Sequence, residues 1–191
     1  MFHAQMALDP QSQQFHSLAG KLLLAETTLR YPTFCRSVIF LTEHTREGAH
    51  GYVMNQPMRR HVRELLRGKD FDALGDVPVF QGGPVSTERL SFACMGWDHR
   101  TRAFRFDPQL STDDAREAHQ AGKDVRAYVG YSGWSAGQME REIEARSWIV
   151  QDAVPLLAEP EVVPDLWARV LRDMGPFFRI VSLTPDRPED N

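Results

Sequence analysis

The 191 residues predict a single mixed α/β (α+β) domain, and three observations carry that prediction. The composition is globular, with 42% hydrophobic and 25% charged positions. Short apolar runs of strand length outnumber the stretches with helical periodicity by about two to one. Two of those runs are separated around Glu47-Gly48 by little more than a tight turn, so part of the sheet is antiparallel. A chain of this length buries about 70% of its unfolded surface, enough to fold without a metal or a crosslink.

Strand-like runs lie at 21–25, 37–44, 51–55, 77–81, 90–94, 103–106, 125–131, 147–150 and 177–182. In the sixth of these Phe104 and Phe106 share one face and Arg105 takes the other. A short helix is marked by Val62, Leu65 and Leu66 after Pro57. A second runs over 112–121, opened by Ser111 with Asp113 and Asp114 in its first turn. Met139 and Ile143, four apart, mark a third. Leu166, Val170 and Met174 line a final helix, with Pro164 at its start and Gly175 just past its end. Residues 1–16 form a flexible lead and 184–191 a flexible tail, leaving one domain over 17–183.

With 22 Lys+Arg against 26 Asp+Glu, the net charge of −4 gives no overall pull on polyanions. Cys35 and Cys94 sit in apolar, strand-like surroundings and read as buried thiols of a reducing compartment. No run is long and apolar enough for a membrane span, and the first sixteen residues carry no Lys or Arg of an export signal. The expected location is the cytoplasm.

The sharpest chemical motif is Gly133-Trp134-Ser135-Ala136-Gly137, a G-x-S-x-G between a strand and a helix, as a nucleophile elbow requires. Every histidine precedes it, however, so the Ser, acid, His order of that fold cannot close. Ser135 and Gln138 instead read as an S-x-x-Q capping box. Gln81-Gly82-Gly83-Pro84 reads as a turn of unusual backbone angles, since no Lys-Ser/Thr pair follows and a strand takes the place of a phosphate-binding helix. Glu43, His44, Glu47 and His50 are metal-ligand types, but Glu43 and His44 point to opposite faces of a strand, so no metal site is expected. Arg59, Arg63 and Arg67 fall on one helical face, which reads as the solvated side of the short helix.

Taken in order, Ser17 to Ala25, Phe34-Cys-Arg-Ser-Val-Ile-Phe40, Glu43-His44, Glu47-Gly48-Ala49, Gly51-Tyr-Val-Met-Asn-Gln-Pro57, Gly82-Gly-Pro-Val85, Gly130-Tyr-Ser-Gly-Trp134 and Gly137-Gln138 resemble the AlgH/YqgE family of bacterial proteins over roughly 17–182. The resemblance implies a compact α/β domain with a branched, partly barrel-like sheet flanked by helices. It supplies no agreed catalytic set, and the label attached to the family, through one member's link to alginate control, is transcriptional regulator. The chain departs from the family pattern at Met54-Asn55-Gln56, so no role resting on a basic residue at position 56 carries over.

The expectation is an accessory or regulatory protein that binds a protein or small-molecule partner, with no cofactor, no metal and no direct contact with nucleic acid or membrane. The residues expected to shape its surface are Glu43, His44, Asn55, Gly82, Gly83, Tyr131 and Trp134. Two alternatives stand beside it. One is a hydrolase or nucleotide-binding enzyme using the Gly82-Gly83 loop and Ser132/Ser135, with His44 as base. The other is a DNA-binding regulator using the basic segment 59–69.

Overall fold

β1 (Lys21–Ala25) is an unbroken apolar run, which suits a strand covered on both faces. Its Leu22 and Leu24 enter one core while Leu23 and Ala25 enter another. The same division continues along β2 (Val38–Thr45) and β3 (Gly48–Val53), a hairpin joined by Arg46 and Glu47 with Thr45 opposite Gly48. The computed structural model describes residues 15–29, 31–159 and 165–184. Most of the expected lead and tail, and Pro164 as a helix start, lie outside the described residues.

The remaining strands are β4 (Pro57–His61), β5 (Pro78–Gln81), β6 (Val85–Asp98), β7 (Ala103–Leu110), β8 (Asp124–Ser135) and β9 (Trp148–Asp152). The sheet runs β4-β5-β8-β3-β2-β1-β9, mixed because β5 and β8 are parallel, and it branches where β6 leaves β8 with β7 on its outer edge. It does not close into a barrel. β8 makes the branch possible by changing partners at Gly130, whose φ of +68° belongs to glycine. A Cβ there would lie 2.6 Å from the Gly83 carbonyl oxygen.

Three cores fix the layers. Leu22, Leu24, Phe40, Tyr52, Met54 and Tyr128 pack beneath Trp167 and Val170 of α4 (Leu166–Asp173). On the other face Leu23, Ile39, Leu41, Val53 and Trp134 pack beneath Met139 of α3 (Gln138–Glu144). Val79, Val125 and Ala127 are covered by Val62 of α1 (Val62–Leu65) and by Ala115 and Ala118 of α2 (Thr112–Gln120). The buried Arg126 guanidinium is held by Asp124 at 2.8 Å and by the Leu157 and Glu159 carbonyls, above the Phe80 ring.

Several expectations are corrected. Residues 177–181 of the expected last strand are helical: α5 (Pro176–Val181) begins on Gly175-Pro176, and its apolar residues follow a three-to-four spacing rather than alternation. The Leu166 helix is therefore not the last. β4 carries the sequence PMRRH, too polar to read as a strand, and forms by backbone pairing with β5. Arg59 and Arg60 belong to that strand, and Arg67 lies beyond the four-residue α1, so the basic residues share no helical face. The N-cap of α3 is Gly137, not Ser135; Ser135 ends β8, and half of the anticipated box survives as its N–H donating to Gln138 Oε1 at 3.1 Å. Cys35 is exposed in a turn and Cys94 is half-buried, and neither forms a disulfide. Among the described residues no helix is long and apolar enough to cross a membrane.

Candidate binding cleft

The seven anticipated residues divide between the two faces of the sheet. Alternation sends Glu43 to one side of β2 and His44 to the other. His44 is 5% exposed and fully engaged: the Leu18 N–H donates to Nδ1 at 2.8 Å and Nε2 lies 2.9 Å from Glu140 Oε1. Because Nδ1 accepts an amide hydrogen, the ring proton resides on Nε2 and is donated to the carboxylate. Burial pushes the Glu140 carboxyl up, but its backbone hydrogen bond and His44 lower it further, below the ordinary glutamate value. With Phe15 set edge-on to the imidazole at 4.8 Å, His44 is a clip that fastens the chain before β1 onto α3.

Trp134 also lies on this face, buried. Its indole N–H and that of Trp148 both donate to Glu142 Oε2 at 2.8 Å, while Gln138 Nε2 donates to Oε1 at 2.9 Å. One carboxylate therefore ties α3 to β8 and β9. Asn55 follows β3 and stands in for a missing peptide group: its Oδ1 accepts the Val38 N–H and its Nδ2 donates to the Arg36 carbonyl, each at 2.9 Å.

Gly82 and Gly83 are glycines because the chain crosses β8 at backbone contact. A Cβ would lie 2.2 Å from the Gly130 oxygen at Gly82 and 2.3 Å from the Tyr131 carbonyl at Gly83, where φ is also +154°. The Gly82 N–H donates to Val129 O at 2.9 Å and its carbonyl accepts the Val53 N–H at 2.9 Å, so this is a braced crossing rather than a phosphate cradle. Ser132 is buried with its hydroxyl donating to the same Gly82 carbonyl. Neither Ser132 nor Ser135 meets His44, whose two nitrogens have other partners.

Glu43 and Tyr131 do come together. They belong to a cleft of about 600 Å³ where the first core runs out, between the β2-β3 hairpin and the start of β6. Its floor holds Tyr52, His50 and Tyr131, the last two with ring centroids 5.2 Å apart. Glu43 Oε2 lies 3.6 Å from His50 Nδ1, its neighbour across the strands. One wall is the segment 86–91 of β6, and Pro108 and Gln109 of β7 close the end. Ser86 and Gln109 both carry left-handed backbone, with φ of +53° and +60°. Two strained non-glycine residues at one cleft mark a conformation the surrounding fold enforces.

His50, Tyr52, Ser86, Arg89 and Gln109 were not anticipated here. Strand alternation across the Glu47 turn signals the Glu43 and His50 pair, whereas nothing in the local sequence announces left-handed Ser86 or Gln109. Among the described residues no cluster of three His, Cys, Asp or Glu side chains could hold a metal ion.

Comparison with known proteins agrees with this architecture. The family model described as AlgH-like matches residues 22–179. A UPF0301 protein of Chlorobium luteolum is 33% identical over 180 residues, covering 89% of this chain and 93% of that one. A UPF0301 protein of Mycolicibacterium vanbaalenii is 39% identical over 168 residues, covering 81% of each. A crystal structure of a Corynebacterium diphtheriae protein superposes with a TM-score of 0.69 at 21% identity, over 90% of this chain and 95% of that one. The solution structure of AlgH from Pseudomonas aeruginosa gives 0.64 at 22% identity, over 93% and 98%. At these identities the two structures speak for the fold alone.

Proposed function

The chain belongs to the AlgH-like family, and on that footing we propose that it is a cytoplasmic accessory or regulatory protein that works by binding, with its ligand taken in the cleft over Tyr52, His50 and Tyr131. The observation that carries this reading is the convergence of an aromatic floor, an exposed carboxylate at Glu43, an exposed guanidinium at Arg89 and strained backbone at Ser86 and Gln109 on one concavity. The residues from which a hydrolase would be assembled are occupied elsewhere: His44 holds Leu18 and Glu140, and Ser132 holds Gly82. A DNA-reading helix finds no support in a four-residue α1.

Hydrogen exchange of the full chain, with and without fractionated extract of its own host, tests the proposal. Slowed exchange over 42–52, 86–91 and 130–131, lost in Arg89→Glu, is the expected result. Protection confined to 57–69, or to the Ser135 region, overturns it in favour of a nucleic-acid or a catalytic role.

A further inference from the structure

β6 is a strand of 14 residues, yet β7 pairs with it only from Phe92 to Asp98. β7 ends at Leu110, opposite Phe92, and Ser111 then caps α2 by accepting the Asp114 N–H at 3.1 Å, which carries the chain out of the lane it was following. The first seven residues of β6, 85–91, therefore have β8 on one side and, among the described residues, no strand in the lane that β7 would have continued. Even on the β8 side contact is partial, because the register passes from Val85 opposite Tyr131 to Leu90 opposite Val129, leaving 86–89 bowed out against Gly130 alone. This uncovered backbone is the wall of the cleft just described.

We propose that the cleft takes an extended peptide segment of a protein partner, which adds to the uncovered edge of β6 as an antiparallel strand in line with β7. The inference rests on the reading of the cleft as the binding site and names the class of its ligand. Three features favour a peptide. An open strand edge offers alternating N–H and C=O groups, whose natural complement is another main chain. The floor of Tyr52, Tyr131 and the half-exposed His50 ring would receive every second side chain of such a strand, while the intervening ones face solvent. Glu43 and Arg89, exposed at 61% and 83%, give the rim opposite charges that would fix direction and register. Left-handed Ser86 opens the stretch that bows away from β8, and left-handed Gln109 sits in the ladder irregularity just before the β7 lane stops at Leu110, so the vacancy is built into the backbone rather than left by a loose loop.

The experiment is a selection of short random peptides displayed against the full chain. It is followed by backbone N-methylation of the selected peptides at each position in turn, with amide NMR shifts of the protein recorded for each complex. A screen of a small-molecule fragment library by the same shifts runs beside it. The expected result is peptides whose shifts centre on 86–91 and Tyr131, and whose affinity falls roughly tenfold or more on N-methylation at alternate positions but not at those between. The contrast needs no variant of the protein, so a folding defect cannot mask it. Peptides insensitive to N-methylation, or bound away from 86–91, overturn strand addition. Fragments that bind the cleft where no peptide does overturn the peptide and keep the binding site. Shifts from neither library at the cleft overturn both.

Discussion

Replacing His44 decides whether that imidazole is a structural clip or a reactive group. The ring is 5% exposed, accepts the Leu18 N–H, donates to Glu140 and meets the Phe15 ring at 4.8 Å. His44→Ala loses about 1 kcal/mol for the amide bond, about 1 for the Glu140 bond, whose carboxylate is 43% exposed and screened, and about 1 for the ring contact. The sum is about 3 kcal/mol, equivalent to roughly 6 to 12 °C in Tm for a chain of this size. His44→Gln keeps a donor near the Nε2 position but loses the acceptor for Leu18 and the ring contact with Phe15, so it costs about 2 kcal/mol. Urea unfolding measures the stabilities, and amide exchange at Leu18 reports the clip directly. Exchange there speeds up in both variants. A cost below about 0.5 kcal/mol for His44→Ala, or unchanged Leu18 exchange, refutes the clip and returns His44 to the list of candidate bases.

Other consequences are as specific. Glu142→Gln leaves the three donors from Trp134, Trp148 and Gln138 sharing one acceptor oxygen, and costs about 2 kcal/mol with a red shift in tryptophan emission. Gly83→Ala costs at least about 3 kcal/mol, because its Cβ would sit 2.3 Å from the Tyr131 backbone. Gly122→Ala, also at positive φ but with nothing within 4 Å, costs about 1 kcal/mol in the same urea titration. Asp98 accepts the backbone N–H of Thr101, the Arg105 guanidinium and the Arg100 N–H, which together hold its carboxyl at about 2 against an ordinary 3.8. Its folded value lies below the unfolded one, so the stability it contributes is present above pH 3.8 and is lost as the pH falls toward 2. NMR titration should place its midpoint near the lower value, and Asp98→Asn should remove this part of the acid-side slope.

Elements with strong local patterns were legible in the sequence. β1 is a nearly continuous apolar run, β2 and β8 each contain one at 38–41 and 127–129, and α2 announces its own cap at Ser111, so local pattern and tertiary context agree there. β4 was illegible because its stability comes from pairing with β5 rather than from its own side chains. α5 was misread because Phe177, Phe178, Ile180 and Val181 satisfy an apolar-run criterion while obeying a helical spacing. The candidate site was half visible. The glycines and Trp134 stood out as unusual residues, but their reasons are internal: backbone crossing for Gly82 and Gly83, and a shared carboxylate for Trp134. The cleft itself depends on where β7 stops relative to β6, a register fact that no local window contains.

The central claim, that ligand is taken over Tyr131 and along the uncovered edge of β6, is tested most directly by a photo-crosslinking side chain introduced singly at positions 89, 131, 135 and 59 in living host cells. The account predicts adducts from positions 89 and 131 and none from 135 or 59. Adducts from 135 or 59 alone would contradict it.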